Sequence, residues 1–147
     1  MHEFELKVTR ATNGFQEAKI LLAGVEVRLF DRLAEGPATA RQLARDLEVT
    51  VRGIEILADA LVAKEYLAKD GDLYANTEGA NRFLVRGSPD SQAFILGHRN
   101  QMYRSWGMLE EVVRKGRQIQ EKDKATLVDR EANRNFILGM AEVSRER

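Results

Sequence analysis

The chain has 147 residues, 44% of them hydrophobic and 31% charged, which suits one domain with a proper core. Its 23 basic and 23 acidic side chains leave no net field to draw in nucleic acid or an anionic membrane. The absence of cysteine excludes a disulfide framework and a thiolate metal site and fits a reducing compartment.

No apolar run approaches the roughly 20 residues that would span a bilayer. The opening Met1-His2-Glu3-Phe4-Glu5 has no signal-peptide profile, so a cytoplasmic protein without membrane contact is the default expectation. Residues 1–14 read as an N-terminal arm, frayed or a short helix, in which Phe4, Leu6 and Val8 alternate before a turn at Thr12-Asn13-Gly14. From Phe15 to Glu35 the pattern predicts a helix that is apolar over most of its circumference, through Ile20, Leu21, Leu22, Val25, Val27, Leu29, Phe30 and Leu33. Such a helix needs cover on more than one side, and a second copy of the chain is a plausible cover. Gly36-Pro37 ends it.

Residues 37–85 then spell a winged helix-turn-helix. Thr39 and Gln42 form a capping box, and Leu43, Ala44 and Leu47 give the short first helix its buried stripe. Thr50 caps a second helix running to about Tyr66, with Ile54, Leu57, Ala58, Leu61 and Val62 on one face. Two strand-like runs, Tyr66 to Lys69 and Leu73 to Asn76, flank Asp70-Gly71-Asp72, a hairpin signal. Beyond the module, Ser88 as N-cap and Pro89 at the first helical position predict a helix to about Gly116, carrying Ile95, Met102, Trp106, Leu109 and Val113 on one seam. Residues 117–128 read as a loop, and 129–147 as a last helix with Ala132, Phe136, Met140 and Val143 on one face. Its apolar face has no closing element after it, which suggests a longer parent protein. The fold class is therefore mainly α: a winged helix-turn-helix with a small β-hairpin, flanked by long dimerisation helices.

A winged helix suggests a DNA reader, and charge tests that. Between Gly36 and Arg86 stand seven basic and eight acidic side chains, and the would-be recognition helix presents Glu55 and Asp59 where phosphate would lie. No nucleic-acid partner is expected, and a free-standing winged-helix regulator is kept only as the alternative.

Signals for chemistry are sparse. The eleven glycines are never closer than eight residues apart, so a G-x-G cofactor loop and a P-loop are absent. The two histidines, His2 and His98, come from unrelated segments, and no His, Asp and Glu set has metal-ligand spacing. No catalytic residue and no metal ligand is assigned. Glu110-Glu111, and Arg41, Arg45 and Arg52, read as solvated faces. Met102, Tyr103, Trp106, Phe136 and Met140 admit two readings: core and interface packing, or the lining of a pocket for a planar ligand.

The run from Ala23 to Thr39, AGVEVRLFDRLAEGPAT, resembles the opening of one group of enzymes, the S-adenosylmethionine-dependent O-methyltransferases of the plant caffeic-acid and hydroxyindole type. Ile54 to Leu67, IEILADALVAKEYL, resembles their second helix, with Glu65 where many relatives have glycine. Tyr74 to Thr77, Trp106 to Leu109, Val113 to Gly116 and Phe136 to Met140 follow in the family's order. The resemblance implies that this chain is the N-terminal dimerisation and substrate-lid domain of a two-part enzyme. The cofactor S-adenosylmethionine and the catalytic base would belong to a following Rossmann-like domain, so the segment alone would be neither catalytic nor cofactor-binding. It implies a homodimer through Phe15, Ile20, Leu21, Leu22, Val25 and Trp106, and an acceptor wall from Leu96, Met102, Phe136 and Met140, with Gly97 lacking the side chain that some relatives have. The acceptor would be a small aromatic or polyketide-like molecule. A catalytically silent scaffold that kept only the dimer module is a third possibility.

Overall fold

The computed structural model describes residues 2–117 and 126–145, and the chain divides into two compact units, residues 1–81 and 82–147. In the first unit, α1 (Glu3–Glu26) runs unbroken through the segment expected to be an arm and a turn. The Thr12 hydroxyl donates to the Val8 carbonyl at 2.9 Å, so its polar group is satisfied inside the helix and no turn forms. The apolar positions Phe4, Val8, Ala11, Phe15, Ala18, Leu22 and Val25 recur at alternating steps of four and three. Only Leu22 and Val25 at the C-terminal end are buried; the positions from Phe4 to Ala18 are exposed.

The single helix expected from Phe15 to Glu35 is two. Arg28 takes a left-handed conformation, φ 62°, and α2 (Leu29–Ala34) starts in a new direction. That break places Leu29, Phe30 and Leu33 in the core. At Gly24 an added Cβ would lie 3.0 Å from both Leu61 Cδ1 and Phe30 Cε2, so glycine is what lets α1 approach this cluster.

The winged module forms as the local signals predict, with one strand more. β1 (Ala38–Thr39) joins β2 (Leu67–Asp70) and β3 (Leu73–Asn76) in an antiparallel sheet of order β1-β3-β2. A two-residue strand carries too little periodicity to read from sequence. Thr39 and Gln42 make the reciprocal capping box at the start of α3 (Ala40–Asp46). The Thr50 hydroxyl accepts from the Gly53 N–H at the start of α4 (Val51–Ala63). α4 ends at Ala63, three residues sooner than expected, and Glu65 just beyond it takes φ 61°. Ile54, Ala58 and Leu61 of α4 pack with Leu43, Leu67 and Tyr74 in the same interior. Each large apolar side chain buried there contributes about 1.5–3 kcal/mol relative to leaving it in water.

Asp59 ties the hairpin to α4. Its Oδ1 accepts from Lys69 Nζ and from the Tyr74 hydroxyl, each at 2.7 Å, while the Lys69 ammonium lies 4.6 Å from the Tyr74 ring centre. The hydrogen bond from Lys69, then that from Tyr74, holds the Asp59 carboxyl below its ordinary value of 3.8. The same bond holds Lys69 above its ordinary range, and burial pushes the Tyr74 phenol up.

After α5 (Glu78–Phe83), the second unit contains α6 (Ala93–Trp106), α7 (Leu109–Lys115) and α8 (Thr126–Val143). Two expectations change here. The helix predicted from Ser88-Pro89 begins at Ala93, because the Ser88 hydroxyl donates to the Arg82 carbonyl and caps nothing. It does not run on to Gly116 either: it ends at Trp106, and after Gly107-Met108 a separate α7 ends on Gly116 in the left-handed region, φ 63°. The last helix starts at Thr126, three residues before the predicted 129, and most of the loop expected at 117–128 lies outside the described residues.

Two outcomes are expected. Because Asp59 titrates lower folded than unfolded, its contribution is full above about pH 4 and is lost as pH falls through the depressed folded value. Urea midpoints measured from pH 7 to pH 2.5 should therefore fall less steeply for Asp59→Asn than for the parent chain. Relieving the left-handed residue at the end of α4 by Glu65→Gly should raise stability by roughly 1 kcal/mol in chemical denaturation.

Candidate functional site

All four residues assigned to an acceptor wall lie in the second unit on α6 and α8, and two glycines set how those helices meet. A Cβ at Gly139 of α8 would come within 2.8 Å of the Ile95 Cα, and one at Gly97 of α6 within 2.9 Å of Asn135 Nδ2. Any larger residue at 139 would collide with backbone, which cannot rotate away. Gly97, the position without a side chain, is thus occupied by Asn135 and serves packing. Residues 95 and 97 of α6 meet 139 and 135 of α8, so the helices run antiparallel.

The inward stripe of α8 is Asn135, Gly139 and Glu142. The apolar face Phe136, Met140 and Val143, for which the sequence offers no closing element, is exposed. Apolar periodicity does not mark the inward stripe, since a buried asparagine, glycine and glutamate carry no hydrophobic signal. The only sequence clue is their spacing of four and three. Glu142, 5% exposed, accepts from the backbone N–H of Phe94 at 3.2 Å and of Ile95 at 2.8 Å. The Phe94 ring lies 5.8 Å from the Arg86 and the Arg134 guanidinium carbons.

Beside this joint, the His98 ring meets the Phe136 ring edge-on, 5.2 Å between centroids, with His98 Nδ1 buried and without a hydrogen-bond partner among the described residues. Met102 is one turn from His98 along α6, and Met140 one turn from Phe136 along α8; both are exposed. Leu96 is buried inside the unit and not open to a ligand. Of the four wall residues, Met102, Phe136 and Met140 are accessible. Chemically these are apolar and thioether side chains with one imidazole, groups that can hold a planar molecule and that include no activated nucleophile.

The residues assigned to a dimer interface split similarly. Phe15 and Trp106 are exposed, at 53% and 65%, Ile20 and Leu21 are half-buried, and Leu22 and Val25 are buried in the chain's own core. Further along, Leu109 and Val113 of α7 are exposed, Val113 at 73%.

Elsewhere, charge is already engaged. Arg32 and Arg45 bond Asp46 at 2.8 and 2.9 Å, Arg32 first and then Arg45 holding that carboxyl below its ordinary value. Arg32 and Asp46 line part of a surface cleft of about 330 Å³. Outward on α4 stand Val51, Arg52, Glu55, Ile56 and Asp59, and Arg52 is itself 3.9 Å from Glu55. With Arg52 set against Glu55 and Lys69 against Asp59, this face offers phosphate no net positive charge. Among the described residues no group of three or more His, Asp or Glu is placed to hold a metal ion, and no helix is long and apolar enough to cross a membrane. S-adenosylmethionine does not fit these residues either. The two close-approach glycines of α6 and α8 are filled by the chain's own Asn135 and Ile95, and the sheet is a small antiparallel one without a G-x-G turn.

Comparison with known proteins places these elements. The sequence profile of the O-methyltransferase dimerisation domain matches residues 9–86, just over half of the chain. The N,N-dimethyltransferase OxyT of Streptomyces rimosus is 38% identical over 106 residues, 71% of this chain and 31% of that protein. Mouse acetylserotonin O-methyltransferase is 38% identical over 112 residues, covering 71% of this chain and 29% of its own length. Thus the chain spans about a third of the curated relatives it matches. The crystal structure of human N-acetylserotonin methyltransferase in complex with SAM superposes with a TM-score of 0.75 at 28% identity, over 97% of this chain and 46% of that one. With its charge-neutral winged helix, exposed apolar helices and matching profile, the chain belongs to the O-methyltransferase dimerisation domain family.

Proposed function

We propose that this chain is the dimerisation and substrate-lid part of an S-adenosylmethionine-dependent small-molecule methyltransferase whose cofactor site and base lie in a following domain. The observation that carries this reading is the set of large apolar side chains left in water by a chain that otherwise buries its core well: Phe4, Phe15, Trp106, Val113, Ile137 and Val143. A monomer exposing so much apolar surface on separate helices is poorly soluble, whereas a second copy covers it. The accessible Met102, Phe136 and Met140 support the lid role, because apolar side chains at that place exclude water and orient a planar acceptor without taking part in proton transfer. A cytoplasmic location accords with the lack of cysteine.

The acceptor is a small aromatic or polyketide-like molecule, and its reacting atom is set outside this domain. The relatives named for N,N-dimethyl transfer and for O-methylation of acetylserotonin are equally similar to it, at 38%.

Two measurements test this. Sedimentation at micromolar concentration should give a homodimer burying more than about 2,000 Å², as obligate interfaces do. Phe15→Asp with Trp106→Asp should shift it to monomer with the winged unit still folded by circular dichroism, and a monomeric parent chain would contradict the reading. Calorimetry of the 147-residue chain with S-adenosylmethionine should give no binding heat, and a measurable isotherm would place the cofactor site in the wrong domain.

A further inference from the structure

We propose that Glu142 is a positioning residue. Its carboxylate, reaching from the last turn of α8, caps the N-terminus of α6 and fixes the register of the two helices, and with it the relative placement of His98, Met102, Phe136 and Met140. The accounting begins with the N–H groups that open a helix and have no partner within it. Gln92, at the cap position, does not cap the helix with its side chain. Ser91 Oγ accepts from the Ala93 N–H at 3.1 Å, the two oxygens of Glu142 accept from Phe94 and Ile95, and the first intrahelical bond is Leu96 N–H to the Gln92 carbonyl at 3.0 Å. The first turn is therefore satisfied, and two of its three donors are met by a residue 47 and 48 positions away in sequence.

A carboxylate this deeply buried is costly unless it is bonded. Two backbone donors at the positive end of a 14-residue helix supply that compensation. Unlike apolar contact, this pairing is directional: sliding α8 by one residue moves the carboxylate about 1.5 Å along the axis and about 100° around it, and both bonds are lost. The Arg145 guanidinium, one turn on, donates to the Pro89 carbonyl and ties the same end of α8 to the loop before α6. With Gly139 and Gly97 allowing close approach, the Glu142 cap leaves the pair one register. That this surface faces an acceptor rests on the function proposed above; the cap and the register do not.

Nuclear magnetic resonance on the 147-residue chain tests the assignment. In the parent chain the Phe94 and Ile95 amides should exchange slowly, and the His98 ring protons should be displaced by the Phe136 ring current. Glu142→Ala should speed exchange at both amides by about tenfold or more and abolish the His98 displacement, leaving the Ile54, Ala58 and Leu61 amides of α4 unchanged. Glu142→Gln, whose amide oxygen still accepts, should keep the His98 displacement with intermediate exchange. An unmoved His98 signal in Glu142→Ala overturns the proposal, as does equal acceleration of the α4 amides, which would make Glu142 merely a stability residue. No acceptor is present in these measurements, so their failure is separate from failure of the methyl-transfer reading.

Discussion

The close approach of α8 to α6 is the constraint on which the second unit depends. Gly139 sits where any side chain would strike the Ile95 backbone, and Asn135 fills the space that Gly97 leaves open. Helices that meet with so little between them expose their larger side chains to either side of the crossing. On α8 the interior face is polar and small, through Asn135, Gly139 and Glu142, and its aromatic and thioether groups lie outside, while α6 buries Ile95 and Leu96. An exposed surface of Phe136, Ile137 and Met140 is thus the direct result of how the helices pack.

The first unit solves a different problem with the same economy. A winged helix reads DNA through positive charge on its second helix and its hairpin. Here Asp59 of the second helix, α4, is held by Lys69 and Tyr74 of the hairpin, and on α3 before it Asp46 is held by Arg32 and Arg45. The charges that remain outward are mostly negative, so the architecture persists as a rigid support whose apolar helices are free for other partners.

What could be read from the sequence follows from how far each determinant acts. The Thr39 and Gln42 box, the Thr50 cap and the Asp70-Gly71 turn are settled within three or four residues, and all three form. The break at Arg28 was not legible, because a non-glycine residue in the left-handed region is imposed by the packing of Leu29, Phe30 and Leu33 on either side of it. The start of α6 was misplaced for a related reason: Ser88-Pro89 is a good local start signal, but the cap that is used comes from α8. In the candidate site, apolar spacing left Met102, Phe136 and Met140 open between packing and pocket, the resemblance assigns them to the pocket wall, and the structure leaves them accessible. Apolar spacing passed over Glu142 and Asn135, whose burial depends on a neighbour rather than on their own hydropathy. Leu22, Val25 and Leu96 show the converse, since an apolar stripe alone does not tell own core from a partner's surface.

The Glu142 cap also orders events in time. While the chain emerges from the ribosome, the opening turn of α6 is complete long before the group that satisfies it exists, and water must serve the Phe94 and Ile95 amides in the interval. Only when the last turn of α8 has been synthesised can that end of α6 settle, so the two helices mature together, at the end of this stretch of translation.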